Sequence, residues 1–191
     1  MMFGVGVEGP SDYQFWQKVL HKHFRSCRFD VRNMKNRDKL IRETPKLLET
    51  FRDCHYTAGF ILVDRDDDPC HASVLELFDV AIREATRLPD KNSRFLHVCI
   101  AVKEIESWYL ADADAINAVI PGCAWHPPPD TGSVAKGHLR SLVKSRLGKN
   151  ASFNEIFFAK MIAPKFQPNR ARPHSASFRY FWDLVESKVR H

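Results

Sequence analysis

The chain has 191 residues, of which 44% are hydrophobic and 27% are charged, and its formal net charge is +6. These values predict a globular protein with one ordinary domain, or a core with an extension, and they exclude a disordered chain. No apolar run approaches the ~20 residues of a membrane span and no signal-peptide pattern is present, so we expect a cytoplasmic protein. The five scattered cysteines form no CxxC pair, which favours reduced thiols over a disulfide framework or a structural zinc site.

The first predicted elements are a strand, a turn and a helix within MMFGVGVEGPSDYQFW. Residues 3–7 form a short apolar run that ends at Glu8 before a Gly-Pro turn, which is typical of a buried strand. Ser11 and Gln14 have the spacing of a capping box, and apolar residues follow at helical spacing. Glu8 therefore needs a partner elsewhere in the chain, because an unpaired buried charge is costly.

Strands and helices continue to alternate along the first half of the chain. Residues 27–31 are compatible with a second strand, and Thr44-Pro45 predicts a helix with proline in its first position. The apolar runs AGFILVD and FLHVCIAV predict two buried parallel strands, with an amphipathic helix over residues 74–85 between them. This alternation predicts an α/β fold with a mostly parallel four-stranded sheet that is flanked by helices.

The last third of the chain is more basic than the rest. Residues 1–115 carry 17 Lys and Arg against 19 Asp and Glu, whereas residues 116–191 carry 12 against 4. Helical patterns separated by proline-rich loops cover residues 134–147, 153–162 and 175–189. We therefore predict an α/β core over 1–115 and a basic helical extension over 116–191 that packs on it. The basic excess fits either contact with a polyanion or a solvated surface.

Acidic residues follow three of the predicted strands. Glu8 comes after the first strand, Asp64 and Asp66 after the third, and Glu104 and Glu106 after the fourth. Because ligands of open α/β sheets bind outside the carboxyl ends of the strands, we expect these acids to meet at one edge. Converging carboxylates repel one another unless a cation lies among them, and hard oxygen donors favour Mg²⁺ or Mn²⁺.

Each acidic cluster also has a plainer explanation. The run DRDDD is compatible with a turn that caps the next helix, and Glu106 with an ordinary helix start. A calcium loop of the EF-hand kind is excluded, because Pro69 stands where that loop needs glycine and Leu75 where it needs glutamate. The shared position at three strand ends favours one metal site over three separate structural roles.

The pair of motifs VEGPSD and LVDRDDD resembles the Toprim pattern of topoisomerases, bacterial primases and nucleases of the overcoming-lysogenization-defect (OLD) type. The resemblance covers residues 3–112 and implies a Toprim/Rossmann-like fold. It implies that Glu8 is a general acid/base or metal ligand and that Asp64 and Asp66 are the DxD that binds Mg²⁺. It also suggests that Glu104 and Glu106 help to hold a second metal. The segments KEIESWYLAD and NRARPHSASFRYF are similar to an uncharacterised group of small bacterial Toprim-like proteins that often have ATPase partners.

The resemblance and the acids together imply a nuclease that uses two Mg²⁺ or Mn²⁺ ions to hydrolyse phosphodiesters of DNA or RNA. It would be the nuclease subunit of a bacterial defence or repair system with an ATPase subunit, and a homo-oligomer is left open. The chain is too short for the additional domains of a topoisomerase or primase. A non-catalytic Toprim-like module that binds metal, nucleotide or a partner remains as an alternative, and so does a phosphotransfer enzyme acting on a small nucleotide.

A cation from the protein is also needed, because charge develops on the phosphate. Lys103 lies beside Glu104 and is our candidate catalytic lysine, although plain surface charge explains any single lysine as well. The candidate nucleic-acid contacts are basic residues of the extension: Lys136, Arg140, Lys144, Lys160, Lys165, Arg170 and Arg172. The aromatic residues between 178 and 182 are expected to pack the last helix onto the core rather than to stack on bases.

Overall fold

The centre of the computed structural model, which describes residues 1–85, 95–127, 135–148 and 153–190, is a four-stranded parallel sheet. The strands are β1 (Met2–Val7), β2 (Arg28–Asn33), β3 (Ala58–Asp64) and β4 (Leu96–Ala101), in the order β2-β1-β3-β4. The first helices are α1 (Pro10–His23), α2 (Arg37–Asp53), α3 (His71–Ala85), α4 (Glu106–Leu110) and α5 (Ala113–Val119). They are followed by α6 (Ala135–Leu147), α7 (Glu155–Ile162), α8 (Pro168–Ala171) and α9 (Ala176–Val189). The predicted α/β fold with a parallel four-stranded sheet is confirmed.

The two faces of the sheet carry separate hydrophobic clusters, because side chains alternate along each strand. In β3, Phe60 and Leu62 pack with α1, α4 and α9, whereas Ile61 and Val63 pack with α2 and α3. In β1, Phe3, Val5 and Val7 belong to the first cluster, Met2 packs against the second, and glycines occupy positions 4 and 6. The face of β1 towards α2 therefore has no side chain at positions 4 and 6, which lets α2 approach it closely.

Gly4 is the point of closest approach between β1 and α2. A Cβ atom on Gly4 would lie 2.3 Å from the ring of Phe51, which is fully buried. We expect Gly4→Ala to lower the free energy of unfolding by about 1–3 kcal/mol, because the ring has no space in which to move aside. Urea denaturation followed by circular dichroism would measure this change. An unchanged midpoint for Gly4→Ala would show that the packing of Phe51 is not this tight.

Aromatic side chains join the last helix to the sheet. Trp108 stacks on Phe181 at a centroid distance of 5.3 Å, and Trp16 meets Trp108 edge-on at 5.6 Å. Phe178, Phe181 and Trp182 are buried, so the expectation that these residues pack the last helix onto the core is confirmed for them. Tyr180 is 61% exposed and does not take part.

A buried carboxylate ties α5 to α8. Asp112 is fully buried and accepts the backbone N–H of Ala115 at 3.1 Å and that of Gln167 at 2.7 Å. Its two oxygens also accept Nε and Nη2 of Arg170, at 2.8 and 2.9 Å. A bidentate pair of this kind is strong and directional, so Arg170 holds the turn before α9 against the core.

Two helix starts differ from their predictions. The N-cap of α1 is Gly9 rather than Ser11, because the carboxylate of Asp12 accepts the Gly9 N–H at 3.1 Å. The second helix begins at residue 37, well before the predicted Thr44-Pro45, because the side chain of Asn36 caps it by accepting the Lys39 N–H at 2.8 Å. Pro45 therefore lies inside α2, where it removes one hydrogen bond.

The remaining predicted elements agree with the structure to within a few residues. The helices predicted over 153–162 and 175–189 are α7 and α9, and Ser175 is the N-cap of α9. Residue 134, the predicted start of the helix now observed as α6, lies outside the described residues. Within the described ranges, none of the helices has the length and apolar character that a membrane crossing requires.

Candidate metal and nucleic-acid site

The site lies where the strand order reverses. The chain passes from β2 on one side of β1 to β3 on the other, so the ends of β1 and β3 form the topological switch point where open α/β sheets bind ligands. Glu8 follows β1, and its Oε1 accepts the backbone N–H of Asp64 at 2.8 Å. Asp64 ends β3, and its Oδ1 accepts the backbone N–H of Ile105 at 2.6 Å. Each carboxylate therefore has one oxygen held by the backbone.

Two further carboxylates reach the same pocket. Asp12 lies in the first turn of α1 and Glu106 begins α4, and both side chains are buried. Together with Glu8 and Asp64 they line a cavity of about 400 Å³. The sequence reasoning missed Asp12, although the residue belongs to the motif VEGPSD and its capping position at the start of α1 turns it towards Glu8.

Burial raises the pKa of all four carboxyl groups. The pKa of Glu8 rises to about 7, because burial and the charge of Asp66 outweigh the hydrogen bond from the Asp64 N–H. The pKa of Glu106 rises to about 6, mainly through burial. The pKa values of Asp12 and Asp64 lie well above their ordinary range, because burial is reinforced by the charge of Glu106 and, to a smaller extent, of Glu8. Such a cluster is stabilised in its charged form by a cation.

The basic residues at the pocket are Lys136 of α6, Arg37 of α2 and Lys35, which precedes α2. Lys136 Nζ lies 3.8 Å from Glu106 Oε1 and 3.7 Å from Glu155 Oε2. Burial alone would lower the pKa of Lys136, but these two carboxylates outweigh it and raise the pKa. Arg37, the first residue of α2, also lines the pocket, and its Nη1 lies 3.8 Å from Asp66 Oδ2. The pocket therefore combines buried acids with three basic residues.

The other predicted site residues, Asp66, Glu104 and Lys103, do not line the pocket. Asp66 has φ +51° and is 48% exposed, and it contacts Arg37 rather than the cavity. Glu104 Oε2 accepts the backbone N–H of Lys136 at 2.7 Å, so it positions the start of α6. Lys103 has φ +64°, and its Nζ lies 3.0 Å from Asp67 Oδ1. Their predicted roles as metal ligands or catalytic lysine stay predictions.

The predicted nucleic-acid contacts fall into two groups. Lys144, Lys160 and Lys165 are exposed. The others already pair with acids: Lys136 as above, Arg140 with Glu155 at 4.0 Å, Arg170 with Asp112, and Arg172 with Glu186 at 2.7 Å. Contact with nucleic acid stays a prediction for all seven residues, and the three exposed lysines have the most freedom to make it.

The donor chemistry of the pocket fits a hard divalent cation. Glu8, Asp12, Asp64 and Glu106 offer carboxylate oxygens, which Mg²⁺ and Mn²⁺ prefer, and burial raises the pKa values of these groups. As their side chains stand, no group of three or more His, Cys, Asp or Glu among the described residues could hold a metal ion.

The raised pKa of Glu8 predicts a pH-dependent stability in EDTA. Below about pH 4.5 Glu8 is protonated in both the folded and the unfolded chain, so folding buries no charge. Between pH 4.5 and about 7 the folded state loses stability relative to the unfolded state, and above about pH 7, where Glu8 is charged in both, this cost is constant. Glu8→Gln, which keeps an acceptor for the Asp64 N–H, is expected to gain up to about 3 kcal/mol over the wild type between pH 4.5 and 8. Urea unfolding of Glu8→Gln and of the wild type at pH 4.5 and at pH 8 measures this gain in stability, with Glu76→Gln at an exposed position as the control. A constant difference between Glu8→Gln and the wild type would contradict the burial of Glu8.

Two solved structures share this fold across nearly the whole chain. One is the C-terminal region of the OLD protein from Xanthomonas campestris pv. campestris, with a TM-score of 0.53, 13% identity, and coverage of 98% of this chain and 95% of that one. The other is the C-terminal region of the OLD protein from Burkholderia pseudomallei, with a TM-score of 0.52, 14% identity and coverage of 98% of both chains. The chain therefore has the fold of an OLD C-terminal region. No curated protein matches it.

A family model covers almost all of the chain. The match extends over residues 7–186, and therefore includes the four carboxylates of the pocket and the helices that follow them. The chain belongs to the family described as "Domain of unknown function (DUF4276)".

Proposed function

We propose that the chain is a nuclease that hydrolyses phosphodiester bonds of DNA or RNA with Mg²⁺ or Mn²⁺. The observation that supports this most is the convergence of four buried carboxylates on one pocket at the switch point of the sheet, with Lys136 beside them. Asp12, Asp64 and Glu106 would hold the metal, with Glu8 beside it. When bound, the metal supplies activation of water and stabilisation of the leaving oxygen.

The residues of the chain have separate tasks in this proposal. Glu8 has one oxygen engaged by the Asp64 N–H, so its Oε2 is available to accept a proton from the attacking water. The ammonium of Lys136 stabilises the negative charge that develops on the phosphate oxygens. Arg37 on the pocket wall binds the phosphate next to the one that is cleaved, and so orients the nucleic acid for in-line attack.

The proposed partner is a separate ATPase subunit. The structures that share this fold are C-terminal regions of OLD proteins, and each is therefore part of a longer polypeptide. The resemblance to small Toprim-like proteins implies that an ATPase is supplied here as a second protein. In this proposal the ATPase controls access of nucleic acid to the pocket within a bacterial defence or repair system.

The test is cleavage of plasmid, single-stranded DNA and RNA by the purified chain with Mg²⁺, with Mn²⁺ and with EDTA. We expect cleavage of at least one substrate that requires the metal. Binding of Mn²⁺ is measured in parallel by calorimetry. Binding of Mn²⁺ without cleavage, with and without the ATPase subunit, would overturn the nuclease and favour the non-catalytic module.

A further inference from the structure

The exposed face of α7 carries two large apolar side chains that the site described above does not use. Phe157 is 54% exposed and Met161 is 46% exposed. They are four residues apart, so they are neighbours on one face of the helix. The ring of Phe157 contacts that of buried Phe158 edge-on, at a centroid distance of 5.5 Å. Phe157 therefore packs against Phe158 on one side and exposes the rest of its ring to solvent.

This face begins at the rim of the pocket. Phe153, Asn154, Glu155 and Ile156 line the cavity, and Asn154 caps α7 by accepting the Phe157 N–H at 2.9 Å. Phe157 follows directly, and Met161 lies one helical turn, about 5.4 Å, further along. A ligand that leaves the pocket along α7 meets these two side chains in order.

Four lysines lie near the C-terminal end of α7. Lys18 Nζ donates to the carbonyl of Lys160 at 3.3 Å, and Lys22 Nζ donates to the carbonyl of Pro164 at 2.9 Å. Lys160 and Lys165 are exposed beside them. In the described ranges of the chain, none of these four lysines is part of an ion pair. Their charge is therefore available to a polyanion.

We propose that the surface formed by Phe157, Met161 and Lys160 of α7 with the adjacent Lys18, Lys22 and Lys165 is the docking surface for single-stranded nucleic acid that enters the pocket. The inference rests on the proposed function and adds the strand form of the substrate. The lysines attract the phosphates of single-stranded and of double-stranded nucleic acid alike. Only an unpaired strand can also turn the faces of its bases onto Phe157 and Met161, because a duplex keeps its bases stacked inside.

The test compares affinities for a labelled single strand of about 20 nucleotides and for the matching duplex, by fluorescence anisotropy in EDTA. Phe157→Ala is expected to weaken binding of the single strand about 5- to 100-fold and to change duplex binding less than about twofold. Phe157→Trp is expected to retain binding. Leu77→Ala is the control, because Leu77 is 42% exposed on α3, which packs on the opposite face of the sheet.

The lysines are tested through the salt dependence of the same affinity. Lys160→Ala is expected to reduce the slope of log K against log salt by about 0.7, whereas Lys46→Ala on α2 leaves it unchanged. The proposal is wrong if the wild type does not bind the single strand. It is also wrong if Phe157→Ala leaves the affinity for the single strand unchanged, or weakens binding of the single strand and of the duplex equally. Binding in EDTA does not depend on catalysis. Metal-dependent cleavage of single strands with an unchanged KM in Phe157→Ala would therefore overturn this surface and leave the nuclease standing.

Discussion

Asp64→Asn is expected to lower metal-dependent cleavage by at least about 10²–10³-fold. Asp64 is the carboxylate at the end of β3, and it contributes both a metal-binding oxygen and negative charge to the pocket. Asparagine keeps an oxygen that can accept the Ile105 N–H, so the strand end is expected to remain in place. The loss would therefore report the missing charge rather than a changed fold.

The measurement is the rate of substrate cleavage at saturating Mn²⁺, together with the affinity for Mn²⁺. We expect both to fall in Asp64→Asn, because the variant removes a proposed ligand. Asp79→Asn on the exposed surface of α3 is the matched control, and its rate and affinity are expected to equal those of the wild type. Cleavage at the wild-type rate by Asp64→Asn would exclude this pocket as the active site.

Lys136→Met is expected to separate cleavage from metal binding. The variant removes the ammonium that lies near Glu106 and Glu155 while it keeps most of the length of the side chain. Cleavage should fall about 10²–10³-fold, because the charge that develops on the phosphate loses a partner. Affinity for Mn²⁺ at pH 8 should rise, because a positive charge beside the carboxylates has been removed.

A lysine with only a structural role would give a different pattern. Lys46→Met, at an exposed position on α2, is the control and should alter neither quantity. Lys136→Met will also raise the pKa of Glu106, which loses its nearby cation, so Mn²⁺ affinity is compared at pH 6 and pH 8. Wild-type cleavage by Lys136→Met would show that another group stabilises the phosphate charge. Weaker Mn²⁺ binding at pH 8 would show that Lys136 supports the carboxylates rather than competing with the metal.

The fold followed from local patterns, and the errors in the sequence reasoning came from competition between local signals. Continuous apolar runs identified β3, which is buried on both faces, and also β4, although β4 is an edge strand and only partly buried. The Thr44-Pro45 signal gave a wrong helix start, because burial of Leu40 in the preceding turns outweighs the cost of an interior proline. Ser11 was predicted to cap α1, but the N-cap is Gly9, because the carboxylate of Asp12 in the first turn accepts the Gly9 N–H.

The candidate site was only partly visible in the sequence. Glu8 and Asp64 were predicted to lie at one edge because both follow parallel strands, and in the structure Glu8 Oε1 accepts the Asp64 N–H at 2.8 Å. Asp66 and Glu104 follow strands as well, but the backbone directs them towards Arg37 and the start of α6. A strand end is predictable from sequence, whereas the direction of a side chain in the turn that follows depends on its φ and ψ angles.

The sequence by itself determined the order of the elements, the parallel sheet and the edge at which Glu8 and Asp64 lie. Apolar periodicity and strand ends are local properties, and parallel strands bring their carboxyl ends to one edge. Only the tertiary structure decided that Asp12 joins the pocket, that Glu106 rather than Glu104 lines it, that Lys136 lies beside its acids and that Phe157 remains exposed. These outcomes depend on how α1, α4, α6 and α7 pack together, and contacts between residues so distant in the chain leave no local pattern.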